Sequence, residues 1–257
     1  MEKSLIFKNS SGFKLKGILS VPEGIKELPL IISCHGFLSG KDSDTNMLLE
    51  ENLNNSGAAL FRFDFTAHGE SGGAFEDVTV SQGADDIHSA IKMLKRLPGY
   101  NFSDIAFFAT SYGGNAALWH ASSHTGIKAM ALKAPVSDYS KISFFKFTPD
   151  IMSEWKKKGL KVMKMNGTEF RISYNFYRDI DEHDTYEMAK NIRAKCLIIH
   201  GDDDNVVPYG QSVKLAGTIG DSAILKIRQG ADHQFQQPGQ LSSVMKECVK
   251  FLKTTLF

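Results

Sequence analysis

Two hydrophobic rhythms run along this chain. Over residues 13–21, Phe13, Leu15, Gly17 and Leu19 take every second position, the period of a strand with one buried face. Residues 5–8 read as its partner across the Asn9-Ser10-Ser11-Gly12 turn, so the sheet is predicted to open with an antiparallel hairpin. Residues 28–34 and 58–65 are instead short unbroken apolar runs, the pattern of strands buried on both faces, and 45–55 between them reads as a helix. The clearest helix spans 79–97, where Val80, Ala84, Ile87, Ile91, Leu94 and Leu97 recur at three- and four-residue steps until Pro98-Gly99 stops it. Strands at 105–109, 127–133, 195–200 and 223–228 alternate with helices at 113–123, 211–218 and 242–254. Such repeated strand–helix units predict one α/β domain over residues 1–257, a mostly parallel eight-stranded sheet with helices on both faces.

One stretch breaks the alternation. Between Ala134 and Asn191 no strand is predicted, and the segment carries ten aromatic residues: Tyr139, Phe144, Phe145, Phe147, Trp155, Phe170, Tyr174, Phe176, Tyr177 and Tyr186. A long excursion from the carboxyl end of a strand is a natural cap, so residues 135–191 are predicted to form a cap insertion over a site. The aromatics would serve equally well to glue that insertion to the core. Lys156-Lys157-Lys158 reads as a solvated helix face.

Charge narrows the function classes. Thirty Lys and Arg against 29 Asp and Glu leave a formal charge of +1, without the global field of a non-specific nucleic-acid binder, so no nucleic-acid partner is expected. A composition 42% apolar and 23% charged excludes a disordered chain, and no apolar run is long enough to span a bilayer, so no membrane partner is expected. The first thirty residues show no secretory apolar region, and Cys34, Cys196 and Cys248 are an odd count without C-x-x-C spacing. Free thiols in a cytoplasmic protein are the expectation. A homodimer is compatible with the sequence, which does not fix the oligomeric state.

The chemistry concentrates at three strand ends. Ala109-Thr110-Ser111-Tyr112-Gly113-Gly114 lies where a buried strand turns into a helix. A serine on such a turn needs small neighbours, which Ala109 and Gly113 provide, although the usual G-x-S-x-G pattern has glycine where Ala109 stands. The amino end of the following helix favours developing negative charge. A serine hydroxyl also needs a base, and the base an orienting acid. His233, in Gly230-Ala231-Asp232-His233, follows the last strand, and Asp202, Asp203 and Asp204 follow the strand before it. Serine, aspartate and histidine in that chain order fit neither chymotrypsin-like nor subtilisin-like proteases.

With His35-Gly36-Phe37, Asp64-Phe65-Thr66-Ala67-His68-Gly69-Glu70-Ser71-Gly72-Gly73 and the Gly201–Pro208 loop added, the chain resembles the α/β-hydrolase superfamily over nearly its whole length. In detail it is similar to bacterial carboxylesterases and cinnamoyl (feruloyl) esterase-like members, which often carry a serine aminopeptidase or prolyl-oligopeptidase-like domain label. The resemblance implies Ser111 as nucleophile, His233 as general base and Asp204, two residues before Val206-Val207-Pro208, as the acid. Asp202 ranks second for that role, and Asp202 and Asp203 otherwise read as turn residues. It also implies an oxyanion hole from the backbone N–H groups of Phe37 and Tyr112. The 64–73 loop, His68 included, is implied to be structural.

The expected activity is hydrolysis of a carboxylic ester through an acyl-enzyme, and the resemblance implies a short or aromatic acyl group. A thioesterase, acyltransferase, peptidase or non-catalytic ligand-binding protein of the same fold are the alternatives. Near-zero net charge implies substrate capture through apolar and local polar contacts. No cofactor and no metal are expected: His120 and His124 are four apart, as in a zinc helix, but Ala121 replaces the glutamate of H-E-x-x-H and the sequence offers no evident third ligand. Cys34 reads as a buried, inert thiol.

Overall fold

The computed structural model describes residues 1–54, 56–142, 145, 147–165 and 167–257. Phe144 and Asn55, the end of the first predicted helix, lie outside them.

The eight predicted strands are all present: β1 (Glu2–Lys8), β2 (Lys14–Ser20), β3 (Glu27–Cys34), β4 (Ala59–Phe63), β5 (Asn101–Thr110), β6 (Ile127–Lys133), β9 (Lys195–Gly201) and β10 (Ala223–Arg228). They form one sheet in the order β1-β2-β4-β3-β5-β6-β9-β10. β1/β2 and β2/β4 pair antiparallel and every other neighbouring pair is parallel. The alternating residues of β2 explain the hairpin: Leu15, Gly17 and Leu19 are buried while Lys14 faces solvent. β3, β4 and β9 are buried almost throughout, which is why their hydrophobicity shows no alternation.

Helices cover both faces. α1 (Asp44–Leu53) and α8 (Gln240–Leu256) bury Leu49, Leu53, Val244, Met245, Cys248 and Leu252 against one side of the sheet. α2 (Val80–Leu94) and α3 (Ser111–Ser123) pack on the other, with Val80, Ile87, Ile91, Ala116, Ala117 and Trp119 in the second core. Thr79 caps α2 by accepting from the Gln82 N–H at 3.0 Å. Gly83 lets α2 approach α3, because a Cβ there would meet the Tyr112 hydroxyl at 2.6 Å and the Ala116 methyl at 3.0 Å. α7 (Gly210–Ile219) joins β9 to β10. From β3 the chain turns one way to β4 and the other way to β5, and such a switch point opens a crevice at the carboxyl ends of the strands.

The segment after β6 differs from expectation in one respect. Besides α4 (Pro149–Lys158), α5 (Tyr174–Glu182) and α6 (Thr185–Ala189), it contains an antiparallel hairpin, β7 (Leu160–Met165) and β8 (Thr168–Ser173), apart from the main sheet. β8 alternates exposed Glu169 and Arg171 with buried Phe170 and Ile172, a period-two signal too short to stand out among the aromatics. No helix among the described residues is long and apolar enough to cross a membrane.

Candidate active site

Ser111 opens α3 with φ of 50°, a left-handed conformation that costs a non-glycine residue about 1–2 kcal/mol. The surroundings over-determine it. Gly113 lies against the Cys34 and His35 carbonyls so tightly that a Cβ would overlap both, and a Cβ on Gly36 would sit 3.3 Å from that of Ser111. The Ser111 carbonyl accepts from the Val136 N–H at 3.1 Å. Ala109 is fully buried and paired in register with Cys34 and Leu132, so its methyl belongs to the core and does not obstruct the turn.

The loops after β9 and β10 are locked back to back. Gly201 passes so close to the Ala231 carbonyl that no side chain fits. The Asp203 N–H donates to Ala231 O at 3.1 Å, and Asp202 Oδ1 accepts from the Gly230 N–H at 2.6 Å. This arrangement directs Asp204 at His233, whose Nδ1 lies 2.6 Å from Asp204 Oδ2. His233 Nε2 lies 3.1 Å from Ser111 Oγ. A carboxylate is an obligate acceptor, so Nδ1 carries the proton and Nε2 is left to accept from the serine hydroxyl.

Asp204 is saturated with donors. Oδ1 accepts from the Val206 and Val207 N–H groups at 2.9 and 2.8 Å, and Oδ2 accepts from His233 and from His200 Nε2 at 3.0 Å. Burial acts to raise its pKa, but the hydrogen bonds from His200 and His233, with the nearby imidazole charge and the Val207 N–H, outweigh it and hold the carboxyl well below the usual range. His200 is fully buried; its Nε2 faces a second acceptor, Val207 O, at 2.9 Å, so it is the protonated nitrogen, and Nδ1 accepts from Ser212 Oγ at 2.6 Å. This second imidazole was not singled out in the sequence. Its one signal is its place just before Gly201, at the end of a strand too uniformly apolar to reveal which side chains point toward the loop.

Lys133 is the other residue missed. It ends β6 almost fully buried, donates to the His233 carbonyl at 3.3 Å and lies over the Phe235 ring at 5.0 Å. Burial lowers its pKa to about 8, against the raising influence of Cys248, Asp204 and Asp232.

A cavity of about 740 Å³ opens beside Ser111 and His233. Phe37, Tyr112 and Leu38 line it from the sheet edge, and Val136, Tyr139, Ile142, Phe145 and Lys164 from the segment after β6. The Phe37 and Tyr112 N–H groups donate to no described residue, and Tyr112 lies in the first turn of α3, where helical N–H groups lack internal acceptors. Not all ten aromatics reach the cavity: Phe170 and Phe176 pack on Phe37, while Phe147, Trp155, Tyr174 and Tyr177 pack on one another in stacked, edge-on and tilted pairs.

Other candidates lie outside this constellation. Asp64 accepts from the Lys41 N–H at 2.7 Å, Lys41 Nζ at 3.0 Å and the Glu70 N–H at 3.0 Å, which ties its loop down. His68 is buried in that loop with Nδ1 against Thr66 O at 2.8 Å, and the hydrogen-bond partner of Ser111 Oγ is His233. Cys34 is fully buried, and burial pushes its thiol pKa far up, as expected of an inert thiol. Both oxygens of Asp204 are taken up by N–H donors, and Asp202 Oδ1 accepts from the Gly230 N–H as a turn residue does. On the far side of α3, His88 of α2 joins His120 and His124, supplying the third imidazole that the sequence did not reveal.

The model of the prolyl oligopeptidase family matches residues 50–256. Bovine palmitoyl-protein thioesterase ABHD10, a mitochondrial protein, is 25% identical over 219 residues, covering 83% of this chain and 69% of the relative. Among solved structures, Est1E from Butyrivibrio proteoclasticus with ferulic acid bound superposes with a TM-score of 0.79 at 24% identity, covering 98% of each chain. Mouse alpha/beta hydrolase domain-containing protein 10 superposes with a TM-score of 0.78 at 19% identity, covering 98% of this chain and 99% of its own.

Proposed function

The chain belongs to the prolyl oligopeptidase family and is a hydrolase of α/β-hydrolase fold, and from that premise we propose that it cleaves carboxylic esters with Ser111 as nucleophile. The observation that carries this proposal is the unbroken relay at the cavity: Ser111 Oγ 3.1 Å from His233 Nε2, and His233 Nδ1 2.6 Å from Asp204. Ser111 attacks the acyl carbon as its proton passes to His233, and Asp204, held ionised, stabilises the imidazolium. The Phe37 and Tyr112 N–H groups take the oxyanion; donors fixed before charge develops are each worth ~10²-fold or more in rate. His233 then protonates the departing alkoxide, and water drawn in by the same imidazole releases the acid from the acyl-serine.

Residues 135–191 act in this scheme as a cap whose Tyr139, Ile142 and Phe145 shape the acyl pocket, which suits a short or aromatic acyl group. A roof of this kind supports a small substrate over a polypeptide, which would have to leave the site on both sides of the scissile bond. The bovine relative, a palmitoyl-protein thioesterase, favours a second reading, a thioesterase using the same residues. Parallel kcat/KM measurements on acetyl, hexanoyl and feruloyl esters, the matching acyl-CoA thioesters and aminoacyl amides separate the two. Esters are expected to lead; a thioester or amide turned over faster than its matched ester would overturn the ester assignment.

A further inference from the structure

Histidines 88, 120 and 124 form a cluster that the ester chemistry does not use. His88 comes from the middle of α2, and His120 and His124 lie one turn apart at the end of α3. One ligating nitrogen from each lies within 4.8 Å of the others, and the ring centroids of His120 and His124 are 4.3 Å apart. His120 is only 3% exposed, yet neither of its ring nitrogens has a hydrogen-bond partner among the described residues. A buried imidazole normally satisfies at least one nitrogen, because an unpaired buried polar group costs about 1–3 kcal/mol. The rings around it are those of His88 and His124, both exposed, and of Phe107.

We propose that His88, His120 and His124 bind a late first-row divalent cation of the zinc type, which clips α2 to α3. Three imidazoles on one side and solvent on the other make a three-nitrogen site completed by water. Tetrahedral bonds of ~2.0–2.1 Å require the nitrogens to draw in from their present spread, and the exposed rings of His88 and His124 can turn to do so. His124 Nδ1 lies 3.0 Å from the His120 carbonyl, which selects Nε2 as its ligating atom. Lys95 is an opposing cation beside His120, and its long side chain can swing into solvent.

The site is structural. His120 lies nine residues along α3 from Ser111, ~14 Å at the helical rise, so the ion is remote from the reacting atoms. It acts by holding together two helices, one of which carries Ser111 at its start.

The test is isothermal titration of untagged, chelator-treated full-length protein with zinc chloride, alongside thermal melting with and without the metal and the visible spectrum of the cobalt(II) form. One-to-one binding, a higher melting temperature with zinc and a tetrahedral cobalt spectrum are expected. His88→Ala and His124→Ala, at exposed positions that leave the core intact, are each expected to weaken zinc at least ~10-fold and abolish the thermal shift with ester turnover unchanged. Absence of saturable one-to-one binding, or unchanged zinc affinity in both variants, overturns the proposal.

Discussion

His233 and Phe145 line the same cavity but are held there by different forces. His233 is fixed by directional bonds: Nδ1 to Asp204 at 2.6 Å, its carbonyl to Lys133 at 3.3 Å, and a loop pinned to β9 through Asp203 and Ala231. The Phe145 backbone is hydrogen-bonded too, its carbonyl accepting from Lys161 Nζ at 2.6 Å and its N–H donating to Ile142 O at 3.2 Å, but its side chain packs among rings, parallel to Phe176 at 5.3 Å and edge-on to Tyr139 at 5.6 Å. Each ring pair is worth about 0.5–1.5 kcal/mol beyond its burial and tolerates repacking. A charge-assisted bond to a buried carboxylate has no equivalent substitute. The sheet edge is therefore expected to be brittle under mutation and the insertion plastic.

Ser111→Ala tests the brittle side hardest and is expected to lower kcat for every ester by ~10⁴- to 10⁶-fold with no change in fold by circular dichroism. Asp204→Asn follows at ~10⁴-fold, because an amide no longer fixes the His233 tautomer. His200→Phe is smaller, ~10- to 100-fold in kcat/KM, since it removes one of the four donors to Asp204 and lets the carboxylate shift. A His200→Phe enzyme with full activity would show that Val206, Val207 and His233 suffice to hold Asp204.

The sheet edge also has a pH signature. Burial, the His68 charge and Lys41 lower the His35 pKa to about 3, against the raising effect of the Gly36 carbonyl, so the folded state keeps this imidazole neutral while the unfolded chain protonates it near 6.5. A pKa lowered on folding contributes stability that is complete above the unfolded value and is lost as pH falls toward the folded one. Urea unfolding is expected to show stability falling between pH 6.5 and about 3, with His35 alone contributing ~1.4 kcal/mol per pH unit. His35→Gln, which cannot charge, should flatten the slope by that amount; an unchanged slope would place the proton uptake elsewhere.

Changes in the insertion should be smallest and should depend on substrate. Ile142→Ala is expected to alter kcat/KM for a feruloyl ester by ~10-fold while moving an acetyl ester less than ~3-fold. Equal losses on both esters would mean that the insertion supports the relay itself, and the contrast would fail.

This division also governs what was legible in the sequence. The eight strands of the main sheet, the α2 stripe and the loops bearing Ser111, Asp204 and His233 are set by local hydrophobic pattern and by glycines such as Gly113 and Gly201 that tight approaches require. The β7/β8 hairpin was not, because Phe170 and Ile172 alternate over too short a span among other aromatics. His200 and His88 were invisible for another reason. Their roles depend on which side chains meet across 12 residues to Ser212 and between two helices, and a one-dimensional pattern does not encode that.

The central claim is that Ser111, activated by His233, performs the chemistry. Intact-mass analysis and peptide mapping after reaction with a fluorophosphonate ester test it most directly. One adduct per chain on Ser111, formed in step with loss of ester turnover and absent from Ser111→Ala, is the predicted result. An adduct on another residue, or ester turnover persisting in Ser111→Ala, would contradict it.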